Sequence, residues 1–310
     1  MHRTKINQRH VSYHNGCGRS PHFWQSPFPD MASLPRAPLC AAAPSALRGL
    51  LRNAPLQGGA QHATMSTTAT LVELREDRLH PGATDAWLAA FARTPAAAAA
   101  AAALPSPLRS VTLPDVGGVL DVATAAYCWG GHEERDAHRA AAASDPADRA
   151  LAAGGWAAER RAQLFVEAPL VRRFGLHGFA AAASPGSGTR EGAGAGTGAA
   201  IYEVRRYQLR LGYTTVPRWL ELYAGGLPSK LEAPGTDPSS SLVTVLYAEV
   251  GALNEVIELW RHGGGTAAMD ASRQAARGAE PWRAAIASIA ELAVSFTSTI
   301  HKPAPCSPWQ

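Results

Sequence analysis

Acid, base and aromatic side chains alternate along two short stretches of this 310-residue chain. In Ile201–Leu209 they are Glu203, Arg205 and Tyr207; in Leu71–Leu79 they are Glu73 and Arg75. Residues two apart on a strand point to the same face. Each stretch therefore presents a carboxylate beside a guanidinium, with a phenol added in the second. Such a set can line a polar pocket between two sheets and orient a small ligand there. The reading the pattern favours is plainer: a charge pair that holds strand register or faces water. If the pair is buried, desolvation offsets much of its attraction.

Trp129, Trp260 and His262 join these five as candidate pocket or interface residues. His262 qualifies because it follows Trp260-Arg261 at a strand end beside a glycine turn. The run His132-Glu133-Glu134-Arg135-Asp136-Ala137-His138 resembles a metal motif only superficially. Zinc helices place their histidines four apart, whereas these are six apart and lie on different sides of a helix. A solvated helix start, with acids at the positive end of the macrodipole, accounts for it better. The glycines between 186 and 198 fit no G-x-G-x-x-G register and precede a strand, which argues against a phosphate cradle. Gly186-Ser187-Gly188 lacks the strand–elbow–helix setting of a serine nucleophile. Cys128, next to Trp129, reads as a small buried apolar side chain. No catalytic residue, metal or cofactor is expected.

The elements that must carry these residues repeat. Ile201–Leu209 is β-branched and aromatic without Gly or Pro and reads as a strand. Gly212 turns the chain, Thr214 or Thr215 caps a helix through its hydroxyl, and Pro217 sits in the first turn. Leu71–Leu79, Gly82, Thr84 and Trp87 repeat that order, with Glu73 and Arg75 standing where Glu203 and Arg205 stand. The tryptophans match too: Trp87 to Trp129 spans 42 residues and Trp219 to Trp260 spans 41, with Trp156 and Trp282 as the third pair. The chain thus reads as a duplication. Further strands are expected at 109–113, 119–129, 164–170, 242–249, 256–261 and 292–300. Helices are expected at 84–92, 133–143 and 215–224, after the Gly263–Gly265 turn, and around Trp282. The eight alanines Ala96–Ala103 read as an expanded loop, and Asp145-Pro146 as the end of a helix. Each half is β-α-β-β-α-β, a ferredoxin-like unit. One face of such a sheet lacks helices, and a second copy on the same chain can cover it. The expected fold is α+β: two tandem ferredoxin-like units packed sheet to sheet as a dimeric α/β barrel, an intramolecular pseudo-dimer with possible further self-association.

Composition divides the chain into a leader at 1–66, a diverged first unit at 70–178, a Gly/Ala-rich linker at 179–200 and a second unit at 201–310. The leader holds seven basic residues and one acid, Asp30, with Ser, Ala and Pro. That is a transit-peptide composition. It points to a mitochondrial address, with a plastid as alternative, or the cytosol if translation starts at Met65. The leader also carries the positive charge. The whole chain has 29 basic and 25 acidic residues; without 1–66 it has 22 and 24. No nucleic-acid footprint follows. No apolar run is long enough to span a membrane, and four cysteines without a C-x-x-C pair suggest neither disulfide framework nor zinc site.

These residues resemble the NIPSNAP family. The likeness lies in Ile201–Gly212, Val216–Leu222, Glu249–Val256, Leu259-Trp260-Arg261, Gly263-Gly264, Met269-Asp270 and Ser307-Pro308-Trp309-Gln310. In the first unit it lies in Trp129, Glu134-Arg135, Arg139, Asp145-Pro146 and Ala168–Val171. The two versions stand in exchanged order relative to animal members. The resemblance implies the dimeric α/β barrel, a mitochondrial address and no firmly assigned catalytic activity. It implies a non-enzymatic, protein-binding adaptor role, as in members linked to vesicle traffic and mitochondrial quality control, with partners unknown. The alternative is a small-molecule binder or oxygenase-like enzyme that uses the barrel interior.

Overall fold

The computed structural model describes residues 70–181, 185 and 199–310. The proposed leader and most of the linker lie outside the described residues. The first unit runs β1 (Leu71–Leu79), α1 (Thr84–Phe91), α2 (Pro95–Ala101), β2 (Leu108–Val116), β3 (Val122–Trp129), α3 (His132–Ser144), α4 (Pro146–Ala153), β4 (Ala157–Glu167) and the short α5 (Leu170–Arg173). The second runs β5 (Ile201–Leu209), α6 (Thr215–Leu231), β6 (Ser240–Val250), β7 (Glu255–His262), α7 (Gly265–Gly278), α8 (Glu280–Ala290) and β8 (Ala293–Pro303). The duplicated β-α-β-β-α-β order is present. No helix among the described residues is long and apolar enough to cross a membrane.

The eight strands close into one barrel in the order β1-β3-β2-β8-β5-β7-β6-β4. Within each unit the first strand is flanked by the third and fourth, the ferredoxin-like arrangement. The halves do more than stack. They hydrogen-bond edge to edge at two seams: β2 runs antiparallel to β8, and β4 to β6. Every strand edge is thereby paired, which removes the exposed edges an open sheet would carry. Arg206 reinforces the join, pairing with Glu76 of the first unit and with Glu255 at 2.9 Å.

Both faces of the central strands are buried. Even-numbered residues of β1 and β5 face the barrel axis, where Val72, Leu74 and Tyr202 pack with Phe165, Val243, Ile257 and the C-terminal Trp309. Odd-numbered residues face the helices of their own unit. Leu71, Leu79, Trp87 and Phe91 build the first outer core, and Tyr207, Leu209, Trp219, Tyr223 and Trp282 the second. The alternative of a ligand pocket between the sheets is not met there: the interior cavity among the described residues is about 40 Å³, room for a water or two.

Four local expectations need correction. The alanine run is helical, not a loop. Thr94 accepts a hydrogen bond from the Ala97 amide at 3.4 Å and Pro95 opens the first turn, while Ala96 and Ala97 bury against Leu108. Asp145 ends α3 but also starts α4, its carboxylate accepting from the Ala147 and Asp148 amides. Thr214 occupies the N-cap of α6 without a side-chain capping bond. The tryptophans do not superpose by register. Trp129 pairs with Leu71 where His262 pairs with Ile201, so Trp129 stands at the His262 position and Tyr127 at that of Trp260. Trp156 precedes β4, whereas Trp282 lies in α8.

Candidate functional site

Strand alternation and helix cover together place the site. Glu203, Arg205 and Tyr207 share the outer face of β5, and β7 brings Trp260 and His262 alongside. α6, α7 and α8 cross this face without filling it. They leave a cleft of about 860 Å³, with the exposed end of β8 at its mouth. All five sequence-predicted residues of the second unit line it.

Two buried carboxylates organise the floor. Glu203, 1 % exposed, accepts from Arg205 Nε at 2.6 Å, Arg273 Nη2 at 2.5 Å and Ser298 Oγ at 2.8 Å, and its second oxygen lies 3.3 Å from His262 Nε2. Ser240 Oγ holds the other ring nitrogen of His262 at 2.8 Å. Burial alone would raise the pKa of Glu203. The hydrogen bond with His262 and the charge of Arg205 outweigh it and hold the carboxyl far below its usual range.

Glu258 is fully buried. It accepts from Tyr207 Oη at 2.7 Å, Tyr223 Oη at 2.9 Å and Trp260 Nε1 at 2.8 Å, with Arg205 Nη1 3.9 Å away. Burial, and then the adjacent Glu258 charge, push both phenols well above their ordinary pKa, so they remain donors. Lys230 of α6 completes the set. Its Nζ lies 3.7 Å from the Trp260 ring centre, 4.4 Å from that of Trp282 and 4.0 Å from Glu258 Oε2, with no hydrogen-bond partner. Burial, then the Arg205 charge, pushes the amine down to about 7. The two indole faces act the other way, because a ring face attracts a cation.

The first unit repeats the frame with other side chains. Glu73 accepts from Arg75 Nε at 2.8 Å and Arg135 Nε at 2.9 Å, with Arg139 Nη1 at 3.6 Å. Burial would raise its pKa, but the hydrogen bond and charge of Arg75 lower it. Arg75 lines a second cleft of about 520 Å³ between the sheet and its helices. Glu73 lies beneath that cleft. Trp129 is in the core, stacked on Tyr127 and tilted against His138. Of the eight predicted residues, five line the second-unit cleft and Arg75 the first-unit cleft, while Glu73 and Trp129 are buried and line neither.

Sequence reasoning missed Glu258, Lys230, Tyr223, Arg273 and Ser298. Glu258 had a legible signal: it alternates with Val256, Trp260 and His262 on the buried face of β7. Lys230 and Arg273 carried none, since basic residues near helix ends are common on solvated faces.

Residues 202–308 match the NIPSNAP family model. No curated protein matches the chain significantly. Among solved structures, a NIPSNAP family protein from Agrobacterium tumefaciens str. C58 is 23% identical with a TM-score of 0.31, covering 36% of this chain and 90% of its own. An anthrone oxidase-like protein is 12% identical with a TM-score of 0.49, covering 77% and 92%. A proposed monooxygenase from Lactobacillus acidophilus NCFM is 6% identical with a TM-score of 0.48, covering 76% and 94%. The family match falls on the unit whose strand, turn and tail motifs carry the resemblance, so residues 202–308 form a NIPSNAP-like unit.

Proposed function

We propose that this chain binds a small molecule with an apolar body and an acidic group in the cleft of its second unit. The observation that carries the reading is the cleft itself. Its volume of about 860 Å³ falls within the usual range for ligand sites. Trp260, Trp282, Ile286 and Phe296 supply apolar walls, and Arg273, Arg277 and Arg283 supply a cationic side. The site lies outside the barrel, between sheet and helices. Binding and not turnover is the reading: Tyr207 spends its hydroxyl on Glu258, and Lys230 is enclosed between the faces of Trp260 and Trp282.

The test uses 1-anilinonaphthalene-8-sulfonate, an apolar anion that brightens when shielded from water. The exposed Ala287 lines the cleft, so Ala287→Trp places an indole in the space a ligand would occupy without disturbing the core. The wild type should bind the dye saturably and the variant should not. Equal titrations would overturn the reading.

A second reading keeps the adaptor role that the family resemblance implies. It is favoured by Leu211, Tyr213 and Leu253, exposed together at one end of the barrel. Asn254 Nδ2 ties their loops by donating to Arg210 O at 2.7 Å and Gly212 O at 3.4 Å. Affinity capture with wild type and a Leu211→Ser/Tyr213→Ser variant tests it: a partner retained by both would sink this surface as the docking site. The mitochondrial address stays a proposal resting on leader composition. It is tested by comparing a tagged full-length chain with one starting at Met65; cytosolic signal from both would refute it.

A further inference from the structure

Matched registers in the two units expose a missing side chain. In the second unit Arg205 of β5 stands opposite Glu258 of β7. In the first, Arg75 of β1 stands opposite Ala125 of β3. Two of the groups around Glu258, Arg205 and Trp260, nevertheless have counterparts beside Ala125, namely Arg75 and Tyr127. Tyr127 follows Ala125 by two residues on the same face, as Trp260 follows Glu258. Arg75 Cζ lies 4.3 Å from the centre of the Tyr127 ring. The donors are present and the acceptor is not.

Two donors are left over as a result. Arg75 Nη2 is buried without a hydrogen-bond partner. Tyr127 is 4 % exposed and its hydroxyl has no partner among the described residues, whereas Tyr207 and Tyr223 both donate to Glu258. A buried donor left unmade is costly. Both residues, with Ala125, line the 520 Å³ cleft of the first unit. At its rim Arg149 has no ion pair, and Arg139 has a single long contact of 3.6 Å with Glu73. Two acids face the cleft, and one of them has partners of its own. Asp77 accepts from Trp87 Nε1 at 2.8 Å and lies 3.7 Å from Arg160. Asp148, in the first turn of α4, also lines the cleft; its carboxylate acts by charge on Arg75 and Arg139, and burial followed by the Asp145 charge raises its pKa, so an incoming carboxylate must be held on the Arg75 and Tyr127 side. Arg160 is occupied by the Leu151 and Ala152 carbonyls and Arg161 by Glu159.

We infer that the first unit binds an external carboxylate, seated over Ala125 between Arg75 and Tyr127, where the second unit carries Glu258. The ligand class is a small carboxylic acid with an apolar tail, which Trp87 and Phe91 would flank. This site is distinct from the second-unit cleft, and the inference does not depend on that cleft being occupied.

The test titrates 3-phenylpropionate against the Ala287→Trp variant, in which the second-unit cleft is obstructed, following the chemical shifts of the indole N–H groups. Saturable binding is expected in the millimolar range. Tyr127→Phe should weaken it about tenfold, the size of one hydrogen bond to a charged group. Ala125→Glu should abolish it, because the carboxylate is then built in, and should raise the melting temperature. Tyr127→Phe removes a hydroxyl without a partner and should fold normally, so the test stands even if Ala125→Glu does not fold. Absence of saturable binding, an unchanged affinity in Tyr127→Phe, or equal competition by inorganic phosphate and by acetate of the same ionic strength would each overturn the inference.

Discussion

Replacing Lys230 with methionine probes the electrostatics of the second unit directly. The amine is buried between two indole faces, and its nearest carboxylate oxygen is 4.0 Å away. Burial, reinforced by Arg205, lowers its pKa from an ordinary 10.5 to about 7. At about 1.36 kcal/mol per unit, that fall corresponds to about 5 kcal/mol against the ammonium in the folded chain. The faces of Trp260 and Trp282 return about 2 kcal/mol between them, leaving about 3. The folded pKa thus lies below the unfolded one. Between the two values the unfolded chain holds the extra proton, so stability rises with pH, by up to about 1.36 kcal/mol per unit. The penalty is complete below the folded pKa and gone above the unfolded one. Methionine keeps the contact with the rings and carries no proton. Urea unfolding at pH 7 and 9.5 should show the wild type gaining about 2 kcal/mol relative to Lys230→Met, the tyrosines contributing equally to both. Parallel stabilities at the two pH values would refute the reasoning, because the folded state would then impose no cost on the charge.

Glu203→Gln should destabilise the protein by about 3 kcal/mol, since it leaves Arg205 and Arg273 without their buried counter-charge. The depressed pKa of Glu203 contributes stability above about pH 4.5 that is lost as pH falls further; acid unfolding of the variant should be correspondingly flatter. Gly226→Ala should cost about 1–3 kcal/mol by thermal denaturation, because a Cβ there would lie 2.6 Å from that of Ala285, where α6 and α8 touch. Gly117→Ala should weaken the β2–β8 seam by a similar amount: Gly117 has φ +91° and its new Cβ would meet the Ser298 carbonyl oxygen. Faster amide exchange in β8 than in β5 would mark that seam as the part affected.

The strands were the legible part of this sequence, and their faces were not. β5 is a nine-residue run rich in β-formers and β1 was legible as its repeat; both fall on the expected residues. Alternation correctly placed Glu203, Arg205 and Tyr207 together. It could not say whether they looked into the barrel or toward the helices, because both faces are apolar: Tyr202 and Val204 line one, Tyr207 and Leu209 the other. With no polar face as reference, a period of two has no origin. The polyalanine helix escaped for a different reason. Alanine favours helix but gives no amphipathic period, so the signal lay in Thr94-Pro95 ahead of it. Glu258 escaped because an acid in a strand ordinarily marks a wet face. Its partners Tyr207, Tyr223 and Lys230 come from residues 28 to 51 positions away, and only the folded chain brings them into reach.

Joining both halves through one covalent chain has an evolutionary consequence. A barrel assembled from two identical subunits must accept every mutation twice, once in each pocket. Here a glutamate can arise opposite Arg205 while alanine persists opposite Arg75, and neither change is imposed on the other half. The seams keep the scaffold common, and each recognition surface is left to drift or be selected separately.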